Sequence, residues 1–122
     1  MKRAAAFLLI LAVLMAGGGA VAEEKLTIAY STQGVDSDYW YIMERGVAQA
    51  CEDLGYNYLM QSHNNDETLM VSTCQNFIQQ NVAGLIVSPS KPEALGPVVA
   101  AAHASGIPVV VGDMGDGGTD DD

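Results

Sequence analysis

The residues suited to molecular recognition gather at the end of one stretch, Leu26 to Trp40, reading LTIAYSTQGVDSDYW. Its first half is an apolar, β-favouring run without charge, the pattern of a strand buried on both faces of a parallel sheet. Its second half brings a hydroxyl at Ser37, a carboxylate at Asp38 and adjacent rings at Tyr39 and Trp40. A second carboxylate, Asp113, follows the apolar run Pro108–Val111 and Gly112. In an open α/β sheet, ligands sit in the crevice beyond the carboxyl ends of the strands. Both groups fall there.

The chemistry of this set is recognition of a small solute. A flat ring covers the apolar C–H face of a sugar with large contact area and little entropy cost. Carboxylates accept charge-assisted hydrogen bonds from its hydroxyls. The same groups would also hold a cation such as a polyamine, through cation–π contact. Each residue has a plainer reading too. Tyr39 and Trp40 fit the first turn of a helix packed on the sheet, and Asp38 fits a helix N-cap. Ser88 and Ser90 read as turn and cap residues, and Asn64, Asn65 and Asp66 as the cap of a second helix.

Bond-making chemistry finds no support in the motifs. No G-x-G-x-x-G follows the first strand, and neither a P-loop nor a G-x-S-x-G elbow is present. An enzyme on a flavodoxin-like scaffold is therefore the weaker reading. His63 and His103 stand alone, with no cysteine or third histidine at ligand spacing, so neither a metal nor another cofactor is expected. The aspartates of the C-terminal segment lack the alternation and final Glu of a calcium loop.

The elements that must carry these residues follow from hydrophobic spacing. Strand Leu26–Tyr30 leads to a helix over 39–54 with Met43, Val47, Ala50, Cys51 and Leu54 on one stripe. Gly55 stops that helix. A second strand, Tyr56–Gln61, precedes a polar loop in which Asn64 and Glu67 have capping-box spacing. The next helix buries Met70, Cys74, Phe77, Ile78 and Val82; strand Gly84–Val87 follows. Ser90 and Glu93 again have capping-box spacing, and Pro97 is expected to kink or restart the third helix before strand Pro108–Val111. The order is βαβαβαβ, half of a doubly wound parallel α/β sheet with strand order 2-1-3-4. Constant handedness then puts the first two helices on opposite faces. Cys51 and Cys74 would be separated by the sheet, beyond the roughly 7 Å a disulfide spans, and stay free thiols.

Composition sets the boundaries. Lys2 and Arg3, the apolar run Ala4–Ala16, Gly17–Gly19 and Ala20-Val21-Ala22 read as a cleavable signal peptide over 1–22. As a helix, that run would fall short of the ~30 Å hydrocarbon core. Residues 23–122 then hold three basic residues, Lys25, Arg45 and Lys91, against fifteen acidic ones, a net charge of −12. Nucleic acid and anionic membrane surfaces are excluded by that balance. One α/β domain over 23–113 is expected, with 114–122 a disordered acidic tail. A last strand left as an open edge marks the chain as an N-terminal fragment. The alternative is a small, complete four-stranded domain.

With these motifs in place, the sequence resembles the type I periplasmic solute-binding proteins of ABC transporters, in the sugar-binding branch. The resemblance runs from about Lys25 to Asp113 through STQGVDSDYW, CEDLGYN, HNND, GLIVSPSKPEAL and ASGIPVVVGD. It implies a partial N-terminal lobe of a two-lobed monomer in the periplasm, delivering a sugar or polyol to a permease in the inner membrane. A periplasmic receptor feeding a sensor kinase or chemoreceptor is the alternative. Carried over by position, Ser37 and Asp38 would make polar contacts, Tyr39 and Trp40 would stack, and Asp113 would grip hydroxyls. The family commonly has arginine after that aspartate, where this chain has Met114.

Overall fold

A computed structural model describes residues 22–113. The expectations for the N-terminal segment before Ala22 and for the acidic segment after Asp113 lie outside the described residues. Four parallel strands, β1 (Thr27–Thr32), β2 (Asn57–Ser62), β3 (Gly84–Val87) and β4 (Val109–Val111), form one sheet in the order β2-β1-β3-β4. Helices α1 (Asp38–Leu54), α2 (Glu67–Gln79) and α3 (Leu95–Ala104) connect them, the last preceded by a 3-10 turn at Pro92–Ala94. This is the doubly wound α/β arrangement that the spacing predicts.

The order dictates the layers. The chain steps one way from β1 to β2 and the other way from β2 to β3 and from β3 to β4. Right-handed crossovers therefore send α1 to one face and α2 and α3 to the other. Met70, Cys74 and Phe77 of α2 pack with Leu95, Val98 and Ala102 of α3 on Ala29, Leu85 and Val87 of the strands. Cys51 and Cys74 are both free and both buried, on helices of opposite faces.

Several local expectations are corrected. The second helix is capped by Asp66, whose carboxylate accepts from the Leu69 amide at 2.9 Å; the Asn64–Glu67 box does not form. Asn64 and Asn65 instead take left-handed backbone conformations (φ 49° and 61°) that turn the chain into the helix. The Ser90–Glu93 box is also absent: Lys91 occupies the N-cap of the 3-10 turn without a side-chain bond. Pro97 lies in the first turn of α3, where a missing amide costs nothing, and does not interrupt it. On α1 only Cys51 of the apolar stripe is buried, while Ala50 and Leu54 are exposed. Val82 is buried but lies beyond the end of α2.

Candidate functional site

The loops at the carboxyl ends of the strands are tied together by bonds that continue the sheet ladder. His63 N donates to Thr32 O at 3.0 Å, Ser88 N to Ser31 O at 3.0 Å, and Gly112 N to Val87 O at 2.9 Å. Beneath them, Tyr30 and Ser88 are fully buried and share a hydroxyl–hydroxyl bond of 2.9 Å. The fully buried Thr32 hydroxyl donates to Gly34 O at 3.1 Å, bending the chain out of β1. The hydroxyls of Tyr30, Thr32 and Ser88 are thus satisfied within the crevice floor.

On that floor stand the rings and acids. Ser37 caps α1, its hydroxyl accepting from the Trp40 amide at 3.4 Å, so it is the cap that the plainer reading had assigned to Asp38. Asp38 is the first residue of the helix and exposed, where a carboxylate complements the helix dipole. Tyr39 and Trp40 meet edge to face, ring centroids 4.9 Å apart at 84°. The Tyr39 hydroxyl donates to the Asp113 carboxylate, linking the start of α1 to the end of β4. That bond, with a smaller contribution from desolvation, raises the Tyr39 pKa above its ordinary value. Asp113 holds a left-handed conformation (φ 81°) and is exposed. Tyr39, Trp40 and Asp113 therefore come together, with Ser37 and Asp38 alongside at the helix start.

Two further polar groups join them. The Gln33 amide donates to the Asn65 side chain, bridging the loops after β1 and β2, and both side chains remain at the surface. Gln33 was legible only from its place just beyond the strand end, beside the more conspicuous rings. Lys91 is paired with Glu67 at 3.2 Å. Behind the crevice, His63 is fully buried, with Nδ1 3.2 Å from Ser31 Oγ. Its Nε2 has no partner among the described residues. Burial lowers its pKa, against the opposing pull of Asp66 and Glu67. Among the described residues, no group of three or more His, Cys, Asp or Glu is placed to hold a metal ion. A cavity of about 610 Å³ lies elsewhere, between α1 and the sheet, and among the described residues no charged side chain lines it.

Loops converging at the carboxyl ends of the strands are where open α/β sheets bind ligands. The sequence matches the periplasmic binding protein domain over residues 28–122, and the chain belongs to that family. It is 25% identical over 88 residues to the ribose import binding protein of Bacillus subtilis, covering 72% of this chain and 29% of that one. It is 26% identical over 113 residues to the D-xylose-binding periplasmic protein of Haemophilus influenzae, covering 93% and 34%. A Mycobacterium smegmatis protein solved in complex with β-D-fucofuranose superposes with a TM-score of 0.71 at 26% identity, covering 80% and 32%. The chain spans about a third of the length of the curated relatives it matches. These relatives are binding proteins rather than enzymes, and the family works outside the cytoplasm.

Proposed function

We propose that this chain supplies the first lobe of a periplasmic solute-binding protein that captures a sugar or polyol for import through an ABC permease. The observation that carries the reading is the Tyr39–Asp113 bond, which sets an aromatic pair and a carboxylate at the same end of the sheet. Tyr39, Trp40 and Asp113 would contact the solute, with Ser37 and Asp38 at the rim. The site's charge favours the same class. Asp38 and Asp113 lie with the ring pair and Asp66 caps α2 beyond the other edge of the sheet, while Lys91 is paired with Glu67. An anionic solute would meet like charge there; a neutral polyhydroxyl compound would meet acceptors.

A cationic solute is the second reading, favoured by that acidic balance and by Met114 in place of the family's common arginine. Thermal-shift titration of the two-lobed polypeptide with ribose, xylose, myo-inositol and spermidine separates the two. A solute at 100 times its Kd adds ~2.7 kcal/mol to stability. Stabilisation by the polyhydroxyl compounds supports the proposal, and stabilisation by spermidine alone replaces it. Residues 23–122 alone should bind the same solute more weakly than ~1 mM, since half of a closing cleft is missing.

A further inference from the structure

At the root of the β2–α2 loop, His63 is fully buried and only half satisfied. Its Nδ1 lies 3.2 Å from Ser31 Oγ, and its Nε2 has no partner among the described residues. A neutral imidazole has one donor and one acceptor nitrogen, and the hydroxyl of Ser31 can serve either. An imidazolium donates from both nitrogens, so a proton gained here leaves one buried N–H without an acceptor. It also places a charge where burial disfavours it. The surroundings offer little relief. Asp66 and Glu67, at the start of α2, are the carboxylates facing the ring. The first is taken up by the Leu69 amide and the second by Lys91, from the turn after β3. β1 contributes the uncharged Ser31 and Thr32, and α2 adds the buried thiol of Cys74 next to Ser31. Burial outweighs the two carboxylates and holds the His63 pKa below its ordinary value.

The ring supports a short loop at the crevice rim. The His63 amide donates to Thr32 O at 3.0 Å, and the Asn65 amide donates to Gln33 O at 3.1 Å. The Asp66 amide closes the loop on His63 O at 2.8 Å, and Gln33 Nε2 donates to Asn65 Oδ1. Residues 63–66 are thus stitched to the chain leaving β1, the segment that runs on to Ser37, Tyr39 and Trp40. Asn64 and Asn65 are held by these bonds in left-handed backbone (φ 49° and 61°), a conformation less favourable than extended chain. Asn64, Asn65 and Asp66 are exposed, and His63 alone of the four is buried. Bringing the imidazole to water therefore requires only these residues to move, while the strands and the body of α2 stay in place. Local openings of this kind cost far less than global unfolding.

We propose that His63 is a proton-operated latch on the crevice rim: neutral, it keeps residues 63–66 stitched to Thr32 and Gln33; protonated, it turns to water and lets Asn65 and Gln33 part. Solute capture would then weaken in acid, a consequence that rests on the crevice being the solute site, whereas the latch itself does not. Hydrogen exchange followed by NMR on the 122-residue chain tests the latch with no solute present. The probes are the amides of His63, Asn65 and Asp66. The references are the amides of Asn57 and Ala83, which donate to Leu26 and Thr27 at the opposite end of the sheet. From pH 7.5 to 5 the loop amides should lose ~10-fold or more of their protection relative to the references, since each pH unit below the folded pKa favours the open form by up to ~10-fold. The loss should follow the titration of the His63 ring protons. It should vanish in His63→Gln, whose amide can still bond Ser31 and cannot take up a proton. Loop amides unprotected already at pH 7.5, protection that does not fall, or a loss shared equally by Asn57 and Ala83 overturns the proposal. So does a loss that persists in His63→Gln, which would assign it to Asp66 or Glu67. If that variant does not fold, the unsubstituted chain decides. Coincident midpoints for the ring and the loop support the latch, and midpoints more than about one pH unit apart overturn it.

Discussion

Trp40 meets Tyr39 edge to face, and Tyr39 in turn is held by Asp113, so the ring pair is fixed before any solute arrives. Preorganised rings lose little on binding. In the proposed two-lobed protein, Trp40→Ala should therefore weaken solute binding ~10-fold or more in calorimetry, with the far-ultraviolet spectrum unchanged; unaltered affinity would remove Trp40 from the site. His63 makes a pH prediction. Its folded-state pKa lies below its unfolded value of about 6.5, so the unfolded chain binds the extra proton first. Stability should be full above pH 6.5 and fall as pH drops below it, by at most ~1.4 kcal/mol per pH unit. Thermal melts from pH 7.5 to 5 check the slope, which His63→Gln should flatten. Asp66 and Glu67 face the ring and soften the effect without reversing it. Gly112 is a third sensitive residue. A Cβ there would lie 3.2 Å from Ser88 Oγ, which is buried and held by Tyr30. Gly112→Ala should cost ~1–3 kcal/mol in urea denaturation, since the buried pair has nowhere to go.

At the scale of elements, the strands and helix stripes were legible because burial imposes a period on them. Gly84–Val87 reads as a buried strand and is one. Met70, Cys74 and Phe77 fall on one helical face and pack there. Gly55, at φ 73°, ends α1 as its position suggests, because that backbone conformation is costly for other residues. Caps were less legible. Ser37, Asp38, Asn64 and Asp66 are all good N-cap types, and only the path of the chain into each helix selects Ser37 and Asp66. The Tyr39–Asp113 tie was beyond sequence reading for a related reason. Its partners are far apart in the chain, and only the strand order brings β4 within reach of α1. The same order separates the thiols. Burial pushes Cys74 up to about 11, against a smaller downward pull from Ser31, and also raises Cys51. Thiol titration should count two free cysteines after unfolding without reductant, with Cys74 unreactive in the native chain.

For the whole molecule, α1 joins two places that would otherwise be separate. Its first turn carries Tyr39 and Trp40 at the crevice, and its middle carries Met43, Val47 and Cys51 along the cavity. The packing of α1 on β1 and β2 therefore sets the height of the ring pair over the strand ends. The site was half-legible in sequence for that reason: its residue types could be named, but their placement depends on packing that spans the sheet. Trp40 is also the chain's sole tryptophan. Every indole photon this chain emits thus comes from the rim of the crevice. Arrival of a solute should change the colour or intensity of that emission, so the molecule needs no attached dye to report its own occupancy.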